Sequence, residues 1–252
     1  MSKVLVPIPS YGFDPTEVAI PWKWLSQKNH EVVFATPDGK KASPDNCMLT
    51  GDGLGIWKST LRARQDAVAA CREMDGDAAF CNPLTYADLE EGDFDAIYLP
   101  GGHDKRVKDF LESPSLQRLV ADFFAAEKPV AAICHGVVLA ARSKNRETGQ
   151  SVIHDYKTTA LLKSQERLAY TMTCLWMQDY YLTYPEMTVE DEVRSALSDG
   201  RNFVAGPQPI LRDSVDHLGR GFVVRDRNYL SARWPGDVYN ISLRFEEMLG
   251  SR

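Results

Sequence analysis

Lys3 to Ile8 is a short apolar run followed by Pro9, Ser10, Tyr11 and Gly12, and then by a stretch from about Pro15 to Lys28 with Val18, Trp22 and Leu25 along one face. The change of period predicts a strand, a loop and a helix. Glu31 to Thr36 repeats the strand pattern and is closed by the turn formers Pro37, Asp38 and Gly39. Two strands joined through a helix make a βαβ unit, and such a unit pairs its strands in parallel.

The rhythm is lost between Lys40 and Asp77, where Gly51, Gly53 and Gly55 precede a helical pattern around Thr60 to Arg72. This stretch reads as an insertion beside the sheet. From Phe94 the alternation returns: Asp95 to Pro100 as a buried strand, Val107 to Ala126 as a long amphipathic helix, Pro129 to Cys134 as a second buried strand, Gly136 to Arg142 as a helix. A mixed tail follows. It predicts a helix near Leu162 to Tyr181, an acidic one near Val189 to Leu197, short strands at Asn202 to Ala205 and Phe222 to Arg225, and a last helix after Pro235. No segment repeats at a fixed period, which excludes solenoids and propellers. The pattern as a whole predicts one α/β domain over residues 1–252, with a doubly wound, mostly parallel sheet between helices and insertions at about 40–77 and 172–210.

Composition narrows the function. The chain has 252 residues, 44% hydrophobic and 25% charged, enough to bury a sizeable core. With 29 basic against 35 acidic residues the net charge is −6 and no basic block stands out, so nucleic acid is not an expected partner. The early apolar run is broken by Pro7 and too short for a signal segment or a membrane span, so a cytoplasmic protein without membrane association is expected. Cys47, Cys71, Cys81, Cys134 and Cys174 form no Cys-x-x-Cys pair and no disulfide framework. No spacing of His, Cys and carboxylates suggests a metal site.

One cysteine stands apart. In Pro129-Val-Ala-Ala-Ile-Cys134-His135-Gly136, a hydrophobic strand meets a small-residue helix at Cys134 with no loop between them. That is the arrangement of a nucleophile elbow, in which small neighbours, here Ala132 and Gly136, make the sharp turn possible. The N-terminus of the following helix faces the sulfur and favours thiolate, which can bring a thiol pKa from about 8.5 to roughly 3.5–7.5. Cys134 is therefore expected to be solvent-accessible and the most reactive of the five thiols. His135 reaches the sulfur only if the turn is sharp. A second loop, Pro100-Gly101-Gly102-His103, ends another strand with two glycines that can expose N–H groups to an oxyanion, together with the His135 amide. The acid completing the site should come from the loop after the first strand, where Asp14 and Glu17 are candidates and Glu17 the better one.

Three motifs in this order, Gly12-Phe-Asp-Pro-Thr-Glu17, Leu99-Pro-Gly101-Gly102-His103 and Ala132-Ile-Cys134-His135-Gly136, resemble the DJ-1/PfpI superfamily, and with Thr36-Pro-Asp-Gly39 they look most like its Hsp31 and glyoxalase III branch. The resemblance implies a flavodoxin-like, usually dimeric fold that needs no cofactor. It implies a catalytic cysteine at Cys134, a glutamate near its sulfur at Glu17, an adjacent histidine at His135, and anion-holding backbone at Gly102 and the His135 amide, with Gly101 and His103 beside it. A third acid would fall in the stretch ending at Glu166, which makes Glu166 a candidate supporting residue. The chain has no downstream His-x-Glu pair of the kind glutamine amidotransferases use.

The function expected is a cysteine-dependent enzyme acting on small reactive carbonyls, with methylglyoxal to lactate as the concrete reaction or a related deglycase chemistry. A stress-protective chaperone, a redox sensor or another cysteine hydrolase or hydratase are the alternatives.

Overall fold

A seven-stranded sheet forms the centre of the computed structural model, which describes residues 1–250. The strands in chain order are β1 (Lys3–Pro7), β2 (Tyr11–Phe13), β3 (Glu31–Thr36), β4 (Ser43–Pro44), β5 (Leu84–Thr85), β6 (Ala96–Leu99), β7 (Val130–Ile133), β8 (Val223–Asp226) and β9 (Tyr229–Ala232). The spatial order in the main sheet is β5-β3-β1-β6-β7-β9-β8, all parallel except β8, while β2 and β4 pair separately. The three central strands β1, β6 and β7 are buried almost throughout, as strands covered by helices on both faces must be.

Seven longer helices accompany the sheet: α1 (Pro15–Gln27), α2 (Gln65–Met74), α3 (Pro114–Ala125), α4 (Gly136–Arg142), α5 (Lys163–Met177), α6 (Val189–Ala196) and α7 (Val238–Gly250). α1 packs between α2 and α7, and α3 packs on α4. The chain leaves β1 toward β3 on one side and returns to β6 on the other. The carboxyl ends of β1 and β6 therefore flank a topological switch point, where crevices open in doubly wound sheets. No described helix is long and apolar enough to cross a membrane.

The structure departs from the sequence expectations at chain breaks. The helix expected over Val107–Ala126 is divided at Ser113, whose hydroxyl caps α3 by accepting the Leu116 N–H, with Pro114 at the first helical position. The pattern around Thr60–Arg72 is likewise two helices, separated at Arg62–Arg64. α5 stops at Met177 because Gln178 turns to φ +52. Asn202–Ala205 is not a strand; Phe203 makes a single bridge to Thr158. β9 is absent from the sequence reading. It pairs with β7 and accepts the Cys134 N–H at the Ala232 carbonyl, 3.1 Å away.

The two irregular regions meet each other. The indole N–H of Trp57 donates to the Met172 carbonyl at 3.0 Å, and that of Trp176 to the Gly53 carbonyl at 2.8 Å. Between them Met48, Leu54 and Tyr181 form a small apolar cluster apart from the main core.

Candidate active site

Cys134 takes φ +56, a conformation costly for a residue with a Cβ, at the junction of β7 and α4. Gly136 is required there: a Cβ on it would lie 2.1 Å from the Leu99 carbonyl oxygen, so only glycine lets α4 begin against the end of β6. The sharp turn brings His135 Nδ1 to 3.4 Å from the Cys134 sulfur.

Glu17 arrives from the other side of the switch point. Asp14 caps α1, its Oδ1 accepting the N–H groups of Thr16 at 2.8 Å and Glu17 at 3.1 Å. An acidic side chain in a first helical turn usually faces water, but Glu17 is fully buried. Its Oε2 accepts the Gly101 N–H at 2.9 Å, and its Oε1 has no hydrogen-bond partner. Gly101 is the meeting point: a Cβ there would lie 2.8 Å from Glu17 Oε2, 2.8 Å from the His135 nitrogen and 2.9 Å from the Cys134 Cβ. Since the Gly101 N–H is committed to Glu17, its expected role as an oxyanion donor is corrected to that of a carboxyl holder. Gly102 lies against the Gly12 carbonyl beside it.

Burial drives all three reactive groups toward neutrality. Burial, then Asp14, pushes the Glu17 carboxyl well above the ordinary carboxylate range, which favours its protonated form. Burial, then the Glu17 and Asp14 carboxyls, pushes the Cys134 thiol up, with the His135 N–H acting the other way. Burial, then His103 and Arg142, pushes His135 down to about 3. Cys134 is 3% exposed. The expectation of an accessible, resting thiolate is thus corrected: desolvation and two carboxyls outweigh the helix N-terminus.

The segment after α5 covers the site. His103 stacks on Tyr181 at 4.8 Å between ring centres, meets Tyr180 edge-on at 5.6 Å and stands 6.3 Å from the His135 ring. The Tyr180 hydroxyl donates to Asp45 Oδ2, tying this cover to the first insertion. Thr183 Oγ1 lies 3.0 Å from His135 Nε2 and donates to the His103 carbonyl at 3.0 Å. Glu166 does not fill that place: its Oε2 accepts the Val189 N–H at 3.0 Å, at the start of α6, and burial pushes its carboxyl up to about 7. Cys134, His135, Glu17, Gly101 and Gly102 therefore converge, His103 joins from the covering side, and Glu166 does not hydrogen bond to His135. Thr183 and Asp45 carry no signal in the sequence, since a lone threonine and a helix-capping aspartate look like ordinary surface residues. Among the described residues no cluster of His, Cys, Asp and Glu could hold a metal ion.

Comparison with known proteins agrees with this architecture. Among curated proteins, the uncharacterized protein C14C4.04 of Schizosaccharomyces pombe is 30% identical over 123 residues, 48% of this chain and 45% of that protein. The glutathione-independent glyoxalase hsp3102 of the same yeast is 24% identical over 157 residues, 62% of each. The chain thus spans about half to three-fifths of the curated relatives it matches. Of solved structures, Rapid Encystment Protein 24 kDa of Francisella tularensis superposes with a TM-score of 0.73 at 18% identity, covering 99% of both chains. Glyoxalase III of Candida albicans does so with 0.70 at 17% identity, covering 98% of this chain and 96% of that one. These likenesses share the fold, and a family model described as ThiJ/PfpI family-like matches residues 8–207, so the chain belongs to the ThiJ/PfpI family.

Proposed function

We propose that this protein is a cofactor-independent, cysteine-dependent enzyme that converts small 2-oxoaldehydes to 2-hydroxy acids, methylglyoxal to lactate being the concrete case. The observation that carries this reading is the meeting of a thiol, an imidazole and a carboxyl at one buried point. The names of the yeast glyoxalase and the Candida glyoxalase III support it.

In this reading the sulfur adds to the aldehyde carbon while His135 Nδ1 takes the thiol proton, and Glu17 gives its proton to the aldehyde oxygen. The amides of Gly102 and His135 steady the charge that develops there. Glu17, now a carboxylate, removes the C1 hydrogen, His135 protonates the C2 oxygen, and an enediol results. Glu17 returns the proton to C2, His135 takes the proton from the C1 oxygen, and a thioester to Cys134 remains. Glu17, again a carboxylate, takes a proton from water as it attacks the thioester, and His135 returns its proton to the departing sulfur, which releases the hydroxy acid and restores the thiol. C1 is oxidised and C2 reduced within one molecule, so no external redox partner enters. Purified protein without glutathione should consume methylglyoxal with stoichiometric lactate, and Cys134→Ala should abolish this; turnover unaffected by that substitution removes the proposal.

A stress-protective binding role is the second reading. Leu168, Trp176 and the 93% exposed Leu175 on α5, with Ile56 nearby, offer apolar surface to a partly unfolded client. Suppression of client aggregation that survives Cys134→Ala would favour it.

A further inference from the structure

The Thr183 hydroxyl has one proton to give. The His103 carbonyl, 3.0 Å away, can only accept, so the proton is committed there. His135 Nε2, also 3.0 Å from Oγ1, faces a lone pair and must itself carry the ring hydrogen. A neutral imidazole protonated at Nε2 is bare at Nδ1, and Nδ1 is the atom 3.4 Å from the sulfur.

The neighbouring Tyr184 is held from several sides. Its hydroxyl donates to Glu112 Oε1 at 2.7 Å and accepts from Arg142 Nη1 at 2.8 Å. The other two nitrogens of Arg142 fork onto Glu192, with Nε to Oε1 at 2.6 Å and Nη2 to Oε2 at 3.0 Å. The Arg142 guanidinium and the Lys108 ammonium each lie 4.6 Å from the centre of the Tyr184 ring. Arg142 is the last residue of α4, the helix that His135 begins. One short helix thus presents the histidine at one end and anchors, at the other, the dipeptide that orients it.

We propose that Thr183 is the positioning residue that fixes His135 as a base toward Cys134, and that Tyr184 acts through Thr183 by clamping it in place. The proposal rests on the reading of His135 as the base for the Cys134 nucleophile. It assigns to a hydroxyl the place where a carboxylate orients histidine in a triad. A hydroxyl sets the tautomer and the ring direction without placing a full negative charge beside the ring, in keeping with a histidine that is neutral at rest and takes a proton only during reaction.

The test uses the full chain carrying Thr183→Val, Thr183→Ser, Tyr184→Phe, or Val and Phe together. Methylglyoxal turnover, the rate of Cys134 labelling by iodoacetamide read by peptide mass, and melting temperature are measured on each. Thr183→Val should lower kcat by about 10- to 100-fold with KM unchanged, and slow Cys134 labelling, while Thr183→Ser restores both. Tyr184→Phe, which keeps the ring contacts and loses both hydroxyl bonds, should give a smaller loss, and the double variant should be no worse than Thr183→Val alone. Valine matching wild type, or serine no better than valine, overturns the role of Thr183. Tyr184→Phe matching wild type, or adding fully to Thr183→Val, overturns the clamp. If the wild-type chain does not consume methylglyoxal, the substrate reading fails, and the order of labelling rates still decides the positioning claim.

Discussion

Gly101 donates its N–H to Glu17 Oε2 at 2.9 Å, and its carbonyl accepts the Asp14 N–H at 3.0 Å, so the start of α1 and the loop after β6 are laced in both directions. This lacing keeps a carboxyl buried beside a thiol, although α1 and β7 are not adjacent in the chain. A methyl group at position 101 would press on Glu17, His135 and Cys134 at once. Gly101→Ala should lower stability by about 1–3 kcal/mol, as overpacking of a tight site does, and should impair turnover beyond that loss. Urea unfolding and methylglyoxal consumption on the same variant check both.

Glu17→Gln separates the carboxyl's proton chemistry from its place in the structure. The amide keeps a hydrogen-bonding head of the same shape but cannot return a proton, so turnover should fall by about 10²- to 10⁴-fold. A carboxyl raised in the folded state holds a proton that the unfolded chain releases above its ordinary pKa, so its contribution to stability declines as pH rises. The glutamine variant should melt with a shallower fall in stability toward alkaline pH. An equally steep fall would show that Glu17 is ionised in the native state.

Two further buried carboxyls act in the same sense. Burial pushes both Asp213 and Glu166 up to about 7, well above the ordinary carboxylate range. In the window from about pH 4 to 7 the native state binds more protons than the unfolded state, so their contribution to stability falls as pH rises through it. Melting temperature should be higher near pH 5.5 than near pH 7.5. Asp213→Asn should flatten part of that difference, since Asp213 Oδ1 is buried without a partner while Oδ2 accepts the Asn240 N–H at 2.8 Å.

Thiol labelling should follow exposure. Cys81 and Cys174 are partly exposed, whereas Cys134 is buried, beside a His135 that Thr183 contacts in turn. Limiting iodoacetamide on the native protein at pH 7 should modify Cys81 and Cys174 before Cys134. Cys134 reacting first in peptide maps would mean that the cover opens faster than the reagent attacks.

The strands β1, β3, β6 and β7 were legible because buried parallel strands are apolar throughout and their turn residues stand close by, while their spatial order was not. The elbow was legible because Cys134, His135 and Gly136 leave no room for a loop. Glu17 could be named from the sequence, but its burial could not, since that depends on Gly101 from a distant loop. β9 escaped because Tyr229-Leu-Ser-Ala follows a two-residue turn in which Arg227, not glycine, takes φ +54. Thr183 escaped for a different reason: its chemistry comes from two neighbours, His103 and His135, that only the folded chain brings to it.

The bond from the Cys134 N–H to Ala232 ties the elbow to a strand made roughly a hundred residues later, a separation that slows folding. On the ribosome β1, β3, β6 and β7 emerge first and can associate, yet β7 remains an open edge until β9 is released. Cys134 is therefore among the last parts of the molecule to acquire its final backbone. During synthesis the chain carries an unfinished site, and a nascent chain stalled before Tyr229 would hold Cys134 at a ragged sheet border rather than at a shaped turn.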